Sequence, residues 1–166
     1  MHPDLISLLN AVVEDAPDVA ASRPENADES EDDLVDEYID KLRFFFDDNL
    51  LLAALDLIDR DSVIKFVVPW GHVQYQVLGA SATYTVFPGN YSKTVHTIPP
   101  YCTCASFAFS ALISDSQYMC KHILAVTIAE RMSRCIERPV SADDLAEISV
   151  QQGGREEQSV HGACCE

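Results

Sequence analysis

The chain has 166 residues, 48% of them hydrophobic, and a formal charge of −16, which fits one domain with a core and sequence to spare for tails. The charge is uneven: twelve acids face one arginine in residues 1–37, nine of each sign balance in 38–140, and six acids face one arginine in 141–166. A balanced centre without a basic block is a poor stand-alone binder of nucleic acid, because Lys and Arg on phosphates supply most non-specific affinity; the acidic ends read as solvating or partner-facing tails.

No run approaches the roughly 20 apolar residues of a membrane span. The start places no Lys or Arg ahead of its short apolar stretch, unlike an export signal. The expectation is an intracellular, reducing compartment. Residues 4–14 set Leu5, Leu8, Leu9 and Val12 at helical spacing behind Pro3 and Asp4, predicting a short amphipathic helix ended by Pro17. Residues 16–33 are small, acidic and proline-broken, and read as a disordered linker.

From Leu34 the pattern changes. Leu34, Tyr38, Leu42 and Phe45 form a stripe with Val35, Ile39 and Phe46 beside it, predicting an amphipathic helix over 33–46. Phe44, Phe45 and Phe46 in succession cannot all face one core, and Asp47, Asp48 and Asn49 break the helix. A second helix over 50–58 is apolar nearly all round, so it is either buried within this domain or covered by another protein. On the second reading Phe44, Phe45, Leu51 and Leu55 are the candidate partner surface.

Asp59, Arg60 and Asp61 close that helix, and four strands are then expected at 62–68, 73–77, 83–87 and 91–98. Turns at Pro69-Trp70-Gly71 and Pro88-Gly89-Asn90 make them an antiparallel meander leading to Pro99-Pro100. Trp70 is read as folding back on the sheet rather than as an exposed ligand platform.

Cys102 and Cys104 stand one residue apart, and fifteen residues later Cys120 and His122 repeat the spacing. Three thiols and an imidazole are the ligand set of a closed structural zinc site; the bland alternative is three buried reduced cysteines and an unrelated core histidine. The first pair suits a turn or hairpin. The second cannot lie mid-helix, where residues two apart face nearly opposite sides at about 100° per residue. Cys120 therefore belongs just before a helix and His122 in its first turn, with Ile123, Leu124, Val126, Thr127 and Ile128 carrying that helix into the core. Helix amides and Lys121 favour the thiolate at Cys120. Four protein ligands leave no open position for a catalytic water, and the nearest acid is Asp115. Phe107, Phe109, Leu112 and Ile113 are expected to form a small core beneath the metal.

The helix is expected over 121–134, with Arg131, Arg134 and Arg138 near its end, where cations are favourable for dipole reasons alone. Together with Lys121 they are also the candidate phosphate contacts. Ser141 with Asp143 and Asp144 starts a last helix, 141–150, which Gly153 and Gly154 end. Cys135, Cys164 and Cys165 remain as free thiols; the last two are either ordinary exposed thiols or redox or palmitoylation sites, and no C-a-a-X box ends the chain. The domain reading is a short helix and acidic linker over 1–33, a helical segment with a zinc-finger domain over 34–150 (finger 101–126), and a disordered tail over 151–166.

The pattern C-x-C, a spacer, then C-x-H followed three residues later by Ala125 resembles a SWIM-type zinc finger. With ALDLIDR at 54–60, YQVLG at 75–79, Tyr84 and Thr85, residues 102–112 and CKHILAV at 120–126, residues 38–135 resemble the small SWIM-domain subunit of the animal Shu complex. The resemblance implies one structural zinc on Cys102, Cys104, Cys120 and His122, with Ala125 as a motif residue. It further implies a nuclear protein that pairs with a RecA-like ATPase paralogue. In that role it promotes recombinase filaments on single-stranded DNA during homologous-recombination repair of DNA damage, reaching DNA through the complex. No nucleotide-binding loop, nucleophile elbow or triad is present in the sequence, so no enzyme is expected. The alternative is a direct nucleic-acid-binding zinc finger protein, with Lys121, Arg131, Arg134 and Arg138 on phosphates. The fold class expected is α+β: N-terminal helices, an antiparallel β meander, and a SWIM-type zinc-bound hairpin followed by a helix.

Overall fold

The structure, a computed structural model, describes residues 8–9, 11–13, 15–16, 31–89, 98–114 and 117–156. It is α+β, with helices packed on a five-stranded sheet. Helix α1, Glu31–Arg43, buries Tyr38, Ile39 and Leu42 and turns Asp36, Glu37 and Asp40 to water. Leu9 and Val13, from helical residues ahead of it, are buried in the same core, and Asp15 accepts from Lys41 at 2.9 Å. Helix α2, Asp48–Asp59, starts where the Asp47 carboxylate accepts from the Asn49 amide at 2.9 Å, a side-chain cap that satisfies an otherwise orphaned donor.

The near-uniform apolar composition of α2 resolves into faces. Leu51, Ala54, Leu57 and Ile58 are buried, Leu50 and Leu55 pack at the margin of the core, and Leu52 is 61% exposed. Leu51 is therefore core and not part of a partner surface. Phe45 is likewise packed against the core, whereas Phe44 is 73% exposed.

Both α2 and the later helix α4, Lys121–Arg131, end in the same device. Asp61 (φ 52°) and Ser133 (φ 54°) adopt the left-handed conformation. Around them Ser62 N–H donates to the Leu57 carbonyl and Asp61 N–H to that of Ile58, while Arg134 donates to Ala129 and Ser133 to Glu130. These paired bonds are Schellman caps, which satisfy the last helical carbonyls and turn the chain sharply. The helix expected to reach 134 thus ends at Arg131.

Strands β1 (Val63–Val67), β2 (Val73–Leu78) and β3 (Thr83–Phe87) form the expected antiparallel meander. The fourth strand, expected over 91–98, falls almost wholly outside the described residues; the neighbour of β3 is β4, Tyr101–Cys102. A fifth strand, β5 (Ile136–Pro139), was not anticipated. It lies parallel to β1, giving the order β4-β3-β2-β1-β5. The sheet is mixed rather than a pure meander.

Side chains alternate across a sheet, so Val63, Tyr75, Val77, Tyr84, Val86 and Cys102 share the face that meets α4. Every residue of α4 from His122 to Ala129 is buried, between the sheet and α2. Its last turn is fixed by the Tyr75 hydroxyl, which donates to Glu130; burial, then that hydrogen bond, raises the phenol well above its ordinary range. The Tyr38 hydroxyl is buried with no hydrogen-bond partner among the described residues, and burial pushes it up to about 12.

Two turn readings fare differently. Gly89 (φ 88°) is required, because a Cβ there would lie 2.7 Å from the Ile98 carbonyl oxygen. Trp70 does not fold back on the sheet; it stands 65% exposed in the β1–β2 turn. The last helix, α5 (Ala142–Glu156), is opened by a reciprocal cap in which Ser141 and Asp144 exchange side-chain and backbone hydrogen bonds. It runs on through Gly153 and Gly154, which were expected to end it.

Because α4 is buried on all sides, truncating it should be costly. Leu124→Ala, at a fully buried site, is expected to lower unfolding free energy by about 2–5 kcal/mol, read from denaturant midpoints of the zinc-loaded chain.

Candidate metal centre

Each ligand is delivered by a different local device. Cys102 ends β4, beside Val86 of β3. One residue on, Thr103 bonds back to Thr85, its amide to the carbonyl at 3.2 Å and its hydroxyl from the Thr85 amide at 3.1 Å. Cys104 then caps a three-residue helix, α3 (Ala105–Phe107), its sulfur accepting from the Phe107 amide at 3.3 Å. The first pair thus sits on the antiparallel β3–β4 pair and the turn that leads from β4 into a helix start. Cys120 is extended (φ −89°, ψ 168°) just before α4, and His122 lies in the first turn, as the spacing requires.

All four ligand atoms lie within 4.8 Å of one another, and all four residues are buried. His122 Nδ1 is 3.7 Å from Cys102 Sγ and 4.0 Å from Cys120 Sγ. Zinc–sulfur and zinc–nitrogen bonds of about 2.3 and 2.0 Å imply ligand–ligand edges of about 3.6 Å in a tetrahedron. The arrangement fits one structural zinc, with Nδ1 of His122 as the nitrogen facing the sulfurs. Ala125, fully buried one turn along α4, presents no bulk beside the site.

The electrostatics require a cation. Hydrogen bonds from Cys102 and Cys120 hold the Cys104 thiol far below its ordinary range. The same contacts, with Cys104 and then Cys120, push Cys102 far up, and burial adds to this. At Cys120 the contact with Cys102 favours the thiolate, but Cys104 and burial outweigh it and raise the group to about 11. Three thiolates and an imidazole packed this closely need a cation among them. Cys135 is half-buried and is raised to about 12, chiefly by burial; it takes no part in the cluster.

The surroundings depart from expectation. Phe107 is buried beneath the site and meets Tyr101 edge-on at 5.9 Å. Phe109, Leu112 and Ile113 are not beneath it: they lie in a six-residue π-helical turn, Ala108–Ile113, and point to water. Tyr84, which the sequence marked only as part of a resemblance, stacks on the His122 ring with centroids 4.3 Å apart. Lys121, Arg131, Arg134 and Arg138 are all exposed. They are not one cluster: Lys121 begins α4 and Arg131 ends it, about 15 Å apart along the axis.

Residues 84–130 match the SWIM zinc finger family. The chain is 36% identical over 151 residues to Zinc finger SWIM domain-containing protein 7 of Homo sapiens, spanning 90% of this chain and 97% of that protein. The chain belongs to this SWIM zinc-finger family. The Mus musculus protein of the same name is 33% identical over 123 residues, 74% of each chain, and the Danio rerio one 36% over 120 residues, 72% of this chain and 79% of that one. No solved structure matches the chain. The SWIM finger is generally a non-catalytic interaction module, and in this one the four ligands close the metal off from solvent.

Replacing a ligand leaves three donors in a buried, charge-strained pocket. Cys120→Ser is expected to abolish stoichiometric zinc and to unfold the finger, whereas Cys135→Ser keeps one zinc per chain; metal analysis and circular dichroism distinguish the two. Since ligand thiols must lose their protons to bind metal, zinc binding near pH 7 should release protons, and affinity should fall as pH falls. Calorimetry in buffers of differing ionisation enthalpy measures that release.

Proposed function

We propose that the chain is a non-enzymatic interaction subunit, held together by its zinc, that pairs with a RecA-like ATPase paralogue. In that pairing it promotes recombinase filament assembly and stability on single-stranded DNA during homologous-recombination repair in the nucleus. The observation that carries the reading is a contrast within the finger. The ligands are sealed inside, while Phe109, Leu112 and Ile113, between the two ligand pairs, are 64%, 65% and 75% exposed. Covering each such side chain is worth roughly 1.5–3 kcal/mol, and adjacent exposed apolar groups mark a protein contact rather than a phosphate contact. The resemblance to the Shu-complex subunit supports an ATPase as the partner, which would bring the nucleotide-binding loop for which this sequence has no motif. Phe44 and Leu52 offer a second, smaller apolar group on the helical side.

The test uses full-length variants with these exposed side chains changed. Phe109→Ser, Leu112→Ser and Ile113→Ser together should keep zinc content and melting temperature yet lose copurification of a RecA-like ATPase identified by mass spectrometry. Phe44→Ser with Leu52→Ser should weaken recovery less. Unchanged recovery with both sets overturns the reading. So does salt-dependent binding of single-stranded DNA by the chain alone that is lost in an Arg131→Ala, Arg134→Ala, Arg138→Ala variant; that outcome supports a direct nucleic-acid-binding finger.

A further inference from the structure

His122 carries two ring nitrogens, and rotation about its side chain decides which of them meets the sulfurs. The backbone of α4 fixes only where the ring begins. Tyr84, from the α4-facing side of β3, is stacked on it with the two rings 25° from parallel. The tyrosine is itself seated. Gly79, at the end of β2, donates to the Ala82 carbonyl at 2.8 Å and closes the turn into β3. A Cβ at Gly79 would lie 2.7 Å from Tyr84 Cε2 and 3.4 Å from Cδ2, so the ring occupies the space a side chain would fill.

We infer that Tyr84, resting on the bare backbone of Gly79, is a positioning residue for the metal: it holds the His122 ring so that Nδ1 rather than Nε2 is presented to zinc. The chain of contact runs Gly79, Tyr84, His122, and the hairpin between β2 and β3 is thereby part of the metal site although it supplies no ligand. The stack is a ring-face contact, so the flat aromatic surface matters and the hydroxyl does not. Outer residues that orient a metal's imidazole commonly change affinity by about 10–100-fold when removed.

Zinc affinity of the full chain, measured by competition with a chromophoric chelator, and the nitrogen-15 shifts of His122 in histidine-labelled zinc-loaded protein, test this together. Wild type should show a metal-bound Nδ1 and a protonated Nε2. Tyr84→Phe should keep that pattern and hold affinity within about threefold, while Tyr84→Ala should lose at least tenfold and show mixed or exchanging ring signals. Tyr84→Leu, which keeps apolar bulk without a flat ring, should fold and lose affinity likewise if the alanine variant does not fold. Gly79→Ala should lower affinity in wild type and cost less in the Tyr84→Ala background, where only the contact with the Ala82 carbonyl oxygen at 3.0 Å remains. Nε2 coordination in wild type, or wild-type affinity and ring signature in both Tyr84→Ala and Tyr84→Leu, overturns the proposal; additive effects of Gly79→Ala and Tyr84→Ala overturn the seat.

Discussion

Three thiols and one imidazole buried within 4.8 Å of one another cannot all take their ligand forms without a cation among them. That single electrostatic requirement ties the last residues of the sheet's outer strand to the first residues of the central helix. The metal is not an ornament on a finished core. Cys102, Cys104 and Cys120 belong to the same buried cluster as Leu124 and Val86, and His122 is buried beside them, so the ligands and the apolar side chains share one interior. A zinc at this point would join β4 to the start of α4, and α4 in turn is the surface on which α2 and the sheet both pack.

The remainder of the domain repeats one construction. A helix ends in a Schellman cap with a non-glycine residue at positive φ, and the chain turns directly into a strand: α2 into β1, α4 into β5. The two helices pack together and the two strands lie parallel and adjacent. This accounts for a parallel pair at one edge of an otherwise antiparallel sheet. It also explains why residues past the finger are needed to complete a layer that begins before it.

Much of this was legible in the sequence where one residue type admits few roles. The ligands were readable from spacing and chemistry, and the start of α4 from the impossibility of two helical residues at i and i+2 sharing a target. The meander followed from alternation and from Gly71 and Gly89. Hydrophobicity alone misled where exposure was the question: Phe109, Leu112, Ile113 and Trp70 read as core and face water, while for Leu51 it left core and partner surface both open and the residue is core. Strand β5 was hidden because Glu137, Arg138 and Pro139 carry no strand signature; its place is set by the cap before it and by β1 beside it. The role of Tyr84 was invisible for a related reason, since nothing local to a strand tyrosine announces which ring it will meet.

The pairing of Ile64 with Ile136 spans most of the domain's sequence, and such non-local contacts are what slow folding, because the chain between them must be brought round before the contact rewards it. A metal that joins residues 102–104 to 120–122 removes an internal loop from that intervening stretch. During synthesis β1 emerges long before its outer neighbour, and its free edge stays a template for the wrong strand until β5 arrives. A bound zinc would shorten the loop that must close before β5 can pair, so the metal bears on how long that edge stays open once β5 has been made.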